Sequence, residues 1–374
     1  MFESHKTSIN SKVKLNRGIG SEFWLPSKYV SNKNSDELAN ILPDGKKQFV
    51  TSGREAIFQI IRSIGFERQS VLVPAYLDWT VIDPYIRTNT NFKYYKVKEN
   101  LNIDLDDIKA KLNDDTKAIV VIHYFGFLQS VDVLKNTKKN LIVLEDTTHS
   151  ILSQHQDIPS GSFGDISYAG FRKLLPIPDC AVICYNNDRF SIPDLDEQDL
   201  GHLLLREKRT LGLYYSGKYV ERGDEFSKRL AHLNFNLAEE LIQLNYSKPC
   251  KTSENSACLL TQMRFSEIIQ QRIKNFTCLL EQDLGKATPF YNYLPEGICP
   301  LGFPIISDKR DELRQYLISK KIYPPIHWIL PNSINKEEFS LSWEISGKIL
   351  TIPIDQRYDE SHMHYIAKTL KEFD

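Results

Sequence analysis

From about Gln48 to Asn187 the chain alternates short β-branched or aromatic runs with helical stretches. This is the pattern of a mainly parallel sheet covered by helices. "REAIFQIIRSIG" places Ala56, Ile57, Ile60, Ile61 and Ile64 on one helical face. "VLVPA", "FKYYKV", "AIVVIHYFG", "LIVLEDT" and "AVICY" read as strands, and "IDLDDIKAKL" as a helix between two of them. A strongly charged stretch from about Asp194 to Glu240 reads as long helices whose charge forms a solvated face. "LLTQMRFSEIIQQRIKNFTCLLEQDLG" has helical periodicity and links this part to the last hundred residues. There "LGFPIIS", "DELRQYLISKKI", "ILTIPI" and "DESHMHYIAKTLKEF" suggest a small α+β domain. The expected division is an N-terminal arm and large α/β domain over 1–265, and a small C-terminal domain over 266–374.

Composition removes several function classes. A hydrophobic fraction of 41%, a charged fraction of 25% and a formal net charge of -1 argue for a globular chain and against nucleic acid held by bulk charge. No run approaches the roughly 20 apolar residues of a membrane span, and the first residues lack a signal-peptide core. A cytoplasmic protein without a membrane partner is expected. Six cysteines are scattered without CxxC knuckles or neighbouring histidines, so free thiols are the default and no metal is implied.

In open α/β sheets ligands bind beyond the carboxyl ends of strands, and three strand ends carry chemistry. In "TSGREAI", Ser52 and Gly53 precede an amphipathic helix whose free N–H groups would face an anion such as a phosphate. Ser-Gly before a helix is also an ordinary cap. "LIVLEDTTHS" ends a buried strand in Glu145, Asp146, Thr147, Thr148 and His149. A carboxylate there can keep a heteroaromatic nitrogen protonated, or Asp146 can cap the next turn. His149 suits a buried hydrogen-bonding ring better than a metal ligand. "GDISYAGFRKLLPIPDCAVI" places Lys173, beside Arg172, between a strand and a proline-rich turn. A lysine amine condenses with an aldehyde, the more readily when desolvated or next to a cation. Lys173 is one lysine among many, but phosphate cup, aspartate and lysine occur in that order along the chain.

These segments resemble the DegT/DnrJ/StrS family, enzymes of aspartate-aminotransferase fold (fold type I) that use pyridoxal 5'-phosphate (PLP) and mostly aminate nucleotide-linked keto sugars. "SGREAI" is similar to the family's Ser-Gly-Thr phosphate segment, "VLVPAYLDWTVID" to its Val-Pro-Ala-Tyr strand and turn, and "TKAIVVIHYFG" to its Thr-Lys-Ala-Ile strand. "EDTTHS", "GDISYAGFRKLLPIPD" and "ILTIPIDQRYDE" resemble further family segments. The set is collinear over most of the chain. The resemblance implies Lys173 as the Schiff-base lysine, Asp146 as the partner of the pyridine nitrogen, and His149 beside the cofactor ring. It puts Ser52, Gly53 and Arg54 on the phosphate turn and Tyr76 or Trp79 in a stacking position. His327 and Trp328, in the proline-bounded "YPPIHWILPN", are expected to line the substrate entrance of a homodimer with a shared active site, unless Trp328 packs the core and His327 caps a turn.

The implied reaction moves an amino group from a donor, glutamate foremost, to a keto group of a nucleotide sugar in surface polysaccharide or related glycan synthesis. Rival readings are PLP chemistry on a non-sugar keto substrate, dehydration of a deoxysugar, and a noncatalytic ligand-binding relative. Dehydratase relatives carry histidine in place of the lysine, and a noncatalytic copy has no chemical need for Lys173 and Asp146. The chain departs from the family pattern at several points. Gly170 stands where many relatives have a phosphate-binding serine, Arg54 replaces a small hydroxyl residue, and Cys180 and Ala181 replace Gly-Gly. The Asn-Tyr-Arg segment by which a neighbouring subunit touches the phosphate is missing, with Lys251 and Ser253 in roughly that place.

Overall fold

The structure is a computed structural model and describes residues 18–25, 28–31, 35–245 and 248–373. Residues 1–17, where the expected N-terminal arm begins, lie outside the described residues. Seven apolar runs become strands β1 (Lys46–Val50), β2 (Ser70–Pro74), β3 (Asn91–Tyr95), β4 (Thr116–Ile122), β5 (Ile142–Asp146), β6 (Ile166–Gly170) and β7 (Ala181–Tyr185). They form one sheet in the order β1-β7-β6-β5-β4-β2-β3. Only β7 runs against the others, pairing antiparallel with β6 and β1, while β6, β5, β4, β2 and β3 are parallel neighbours. The carboxyl ends of six strands therefore share one edge. Register aligns Ile122 with Asp146 and Asp146 with Tyr168, and Gly170 with Ala181 and Val50. Strands β2, β5 and β7 are buried along their whole length, as continuous apolar runs require when both faces are covered.

Helices α1 (Gly53–Ile64), α2 (Trp79–Arg87) and α3 (Leu105–Lys111) follow β1, β2 and β3. Ser52 caps α1 by accepting from the Glu55 N–H, and Gly65 ends it in the left-handed region at φ 62°. The expected face, Ala56, Ile57, Ile60 and Ile61, packs in the main core. The opposite side is covered too: Phe58 meets Leu205, Ala238 and Ile242. Those partners belong to an antiparallel helical hairpin, α4 (Leu200–Arg222) and α5 (Glu225–Asn245). The charged middle is thus more than a solvated face. Helix α4 buries His202, Leu205, Arg209, Gly212, Leu213 and Gly217, spaced three or four residues apart except for the adjacent Gly212 and Leu213. Gly212 lets the two helices close, since a Cβ there would lie 2.6 Å from the Phe235 ring.

The periodic stretch after residue 258 falls on two helices, α6 (Glu254–Thr261) and α7 (Phe265–Leu280). They break where the N-terminal segment takes over the backbone pairing. Met263 bridges to Val30, and the Arg264 N–H donates to the Tyr29 carbonyl. Beyond α7, strands β8 (Thr288–Pro289), β9 (Phe303–Ile306) and β10 (Ile349–Ile352) form an antiparallel sheet, accompanied by α8 (Arg310–Ser319), α9 (Ser340–Lys348) and α10 (Glu360–Lys371). A second core gathers Phe276, Phe303, Ile305, Leu317, Leu350 and Ile366. Ile19–Gly20 pairs in parallel with Ile322–Tyr323, tying the N-terminal segment to this part. No described helix is long and apolar enough to cross a membrane. All six cysteines are free thiols, five buried and Cys258 exposed.

Candidate active site

The carboxyl edge of the sheet opens into one cavity. Ser52, Gly53 and Arg54 line one end, Asp146, His149 and Lys173 line the middle, and Trp328 and Arg209 close its walls. Asp146 ends β5 and is 7% exposed. Its Oδ1 accepts from the Thr148 N–H at 2.9 Å, so the capping role also holds. On the neighbouring strand, burial and the adjacent Asp146 carboxylate push the Tyr168 hydroxyl well above its usual range. Glu145 faces away from Asp146, as strand alternation demands. Its carboxylate pairs with His123 Nε2 at 2.8 Å and accepts from the Phe163 N–H at 2.9 Å, which makes it structural.

Lys173 ends a short 3₁₀ turn after β6. Its side chain stands in the cavity, exposed by area yet ringed by protein. Removal from bulk water holds its ammonium below the usual range, and Arg172 adds to this against the pull of Asp78 and Asp146. Burial, then Lys173 and His327, depress His149 well below the ordinary imidazole value, so its ring is neutral near pH 7. The Phe125 N–H donates to His149 Nδ1 at 3.4 Å. That assignment leaves the ring proton on Nε2, which faces Lys173 Nζ at 3.2 Å. An N–H aimed at that nitrogen favours the free amine over the ammonium.

The aromatic expectations need correction. Neither Tyr76 nor Trp79 lines the cavity. Tyr76 is fully buried, with its hydroxyl donating to the His327 carbonyl. Trp79 begins α2 behind the Asp78 cap and points outward at 44% exposure. His327 and Trp328 both lie near Lys173 but on different sides. His327 faces an adjoining open depression that shares Arg172 and Lys173, its Nδ1 lies 2.9 Å from Thr351 Oγ1, and burial lowers its pKa to about 3. Trp328 is only 6% exposed and belongs to the main core. Its ring stacks on His149 at 5.1 Å and packs on Tyr76 and Tyr124. It is a cavity wall rather than an open entrance platform. Trp328→Ala is accordingly expected to cost about 3–5 kcal/mol of stability, measurable by denaturant unfolding.

Lys251 and Ser253, near the place of the missing subunit-contact segment, do not line the cavity. Lys251 pairs with Glu197 at the surface. Ser253 caps α6 and donates to Asp179 at 2.8 Å, so the aspartate of the proline turn staples that turn to α6.

Residues that the sequence patterns did not single out also reach the site. Asp78 sits on the Lys173 side of the α2 cap, and Arg209 arrives from α4. The latter is positioned by a buried clasp two turns earlier on the same helix. His202 lies between Glu55 Oε1 of α1 at 3.2 Å and Asp199 Oδ1 at 2.7 Å, and the Cys250 N–H donates to Glu55 Oε2 at 3.0 Å. Glu55, His202 and Cys250 come close enough to be a metal-ligand set, but the ring's two nitrogens already face carboxylates. Hydrogen bonding to Glu55 is the main cause that raises the His202 pKa to about 9. A raised folded value means that the clasp stabilises fully below the unfolded value near 6.5 and loses this as pH rises through about 9. His202→Gln is expected to lower the melting temperature at pH 6 and to narrow its gap to wild type by pH 9.5. A gap independent of pH would contradict the charged clasp.

Residues 32–188, which carry Ser52, Gly53, Asp146, His149 and Lys173, match the DegT/DnrJ/EryC1/StrS aminotransferase family. Over that segment the chain is similar to the family. It is 24% identical to a GDP-perosamine synthase of Vibrio cholerae over 187 residues, 48% of this chain and 50% of that protein. With the GDP-perosamine synthase of Escherichia coli O157:H7 it shares 20% identity over 345 residues, 87% and 84% of the two chains. The PLP form of Spr1654 from Streptococcus pneumoniae superposes with a TM-score of 0.65 at 13% identity, over 93% of both chains. The fold of the chain is therefore the fold type I arrangement expected from its sequence.

Proposed function

We propose that this chain is a member of that family, a PLP-dependent aminotransferase that moves an amino group, from glutamate foremost, to a keto group of a nucleotide-linked sugar in polysaccharide synthesis. The observation that carries this reading is the convergence of Lys173, Asp146 and the α1 N-terminus on one cavity. The residues fit a phosphorylated pyridine aldehyde. A Cβ built on Gly53 meets nothing within 4 Å, and one on Gly170 meets only the Gly53 backbone at 3.7 Å or more, so the anion end has room. PLP, when bound, supplies the electron sink for breaking a bond at the amino-acid α-carbon. Lys173 would hold its aldehyde covalently and, once displaced, move the proton between carbons. Asp146 would keep the ring nitrogen protonated. Ser52, Gly53 and Arg54 would hold the phosphate. The depression beside His327, with Arg172, Arg314 and Arg357 on its rim, supports an anionic substrate such as a sugar nucleotide.

A homodimer is part of the proposal. Phe226, Leu233, Leu237 and Leu244 form one stripe on α5 and remain exposed, at 36–80%, more apolar surface than a solitary helix face normally leaves to water. The test of function is a screen of keto-sugar nucleotides with wild-type protein, following glutamate consumption. Turnover with a sugar nucleotide supports the reading. Turnover only with non-sugar keto acids would replace its substrate class, and absence of a visible absorbance band after PLP addition would remove its chemistry.

A further inference from the structure

We infer that Arg209 of the α4–α5 hairpin is a phosphate ligand, so that the anion end of the cavity is completed from within the same chain. The inference rests on the PLP reading above and adds a residue that neither the family motifs nor the sequence pattern supplied. Arg209 is 2% exposed, yet its Nε has no hydrogen-bond partner among the described residues. It lines the cavity that Ser52, Gly53 and Arg54 line at the α1 N-terminus. A buried guanidinium N–H without an acceptor is costly, the more so because the group is charged, and no described residue accepts from it.

Pairing with Glu239 does not absorb the charge. Arg209 Nη2 binds Glu239 Oε1, and the same oxygen also takes Arg172 Nη1 at 3.3 Å. One carboxylate oxygen thus serves two guanidiniums. The geometry of the hairpin accounts for the placement. The His202–Glu55 clasp fixes α4 on the third residue of α1. Seven residues further along α4 the helix has made nearly two full turns, which returns Arg209 to the α1 side. Leu205 and Ile242, packed on Phe58, hold the hairpin in that register. A guanidinium and the free N–H groups of a helix N-terminus together make a charge-assisted phosphate clamp. This offers an in-chain donor in a protein whose sequence lacks the segment that reaches the phosphate from a neighbouring subunit.

The test titrates the apoprotein with PLP and, separately, with pyridoxal, which has the aldehyde but no phosphate. For Arg209→Gln the PLP dissociation constant is expected to rise about 10- to 100-fold, with pyridoxal changed less than about twofold, and inorganic phosphate is expected to compete less well against PLP. An unchanged PLP constant overturns the inference, as does equal weakening of PLP and pyridoxal, which marks a structural role. A loss confined to competition by a nucleoside diphosphate also overturns it, since the phosphate would then be the substrate's. Should Arg209→Gln not fold, Arg209→Lys is read instead. The ratio of the two constants is again expected to rise, because an ammonium paired to Glu239 lacks the guanidinium's second directed donor. Wild-type protein that binds no PLP would refute the underlying cofactor reading, an outcome separate from all of these.

Discussion

Lys173→Ala is expected to leave a folded protein that has lost aminotransfer by at least about 10³- to 10⁴-fold. The size follows from the two tasks assigned to one amine, covalent retention of the aldehyde and proton movement at the reacting carbon. Among the described residues no other lysine lines the cavity, so none of them can stand in. The fold should tolerate the change, because the Lys173 side chain is exposed by area and its polar neighbour among the described residues is His149, at 3.2 Å. The melting temperature should therefore stay within a few degrees of wild type. A soluble primary amine added to the variant should restore part of the rate. A variant that turns over at more than about a tenth of the wild-type rate would remove Lys173 from the mechanism.

Asp146→Asn carries the second large effect. The amide oxygen can still accept from the Thr148 N–H that now binds Oδ1 at 2.9 Å, so the turn after β5 should persist and PLP should still bind. What is lost is a negative charge beside the protonated ring nitrogen. At a separation of about 4 Å and an effective dielectric near 20, that attraction is worth roughly 4 kcal/mol, or about 10³-fold in rate if it is fully expressed in the transition state. Single-turnover measurement of the glutamate half-reaction isolates this step from sugar binding. A rate within about threefold of wild type would show that the carboxylate does not hold the ring proton.

The sheet and the strand-end residues could be read from the chain because each depends on local pattern. Asp146 and Lys173 lie at or just beyond the ends of β5 and β6, and Ser52 lies between β1 and the helix it caps. A residue's place beyond an apolar run already fixes the edge of the sheet it occupies. The aromatics were harder for the same reason inverted. Tyr76 and Trp79 are three residues apart, and the Asp78 cap turns the chain between them, so one goes into the core and the other to solvent. Nothing local reveals which face receives the ring. Trp328 owes its burial to Tyr76, Tyr124 and His149, all distant in sequence. Arg209 was the least legible. It breaks the apolar pattern of the α4 buried face, and only the fold shows that this face also borders the cavity. Phe58 belongs with it, since its burial requires the hairpin as a second covering layer for α1.

Lys173 is proposed as the amine that holds the cofactor aldehyde. Borohydride reduction of PLP-loaded protein fixes the adduct irreversibly, and peptide mapping then locates the modified lysine. One stoichiometric adduct is expected, on the peptide that contains Lys173. A stoichiometric adduct on any other lysine, with Lys173 unmodified, would contradict it.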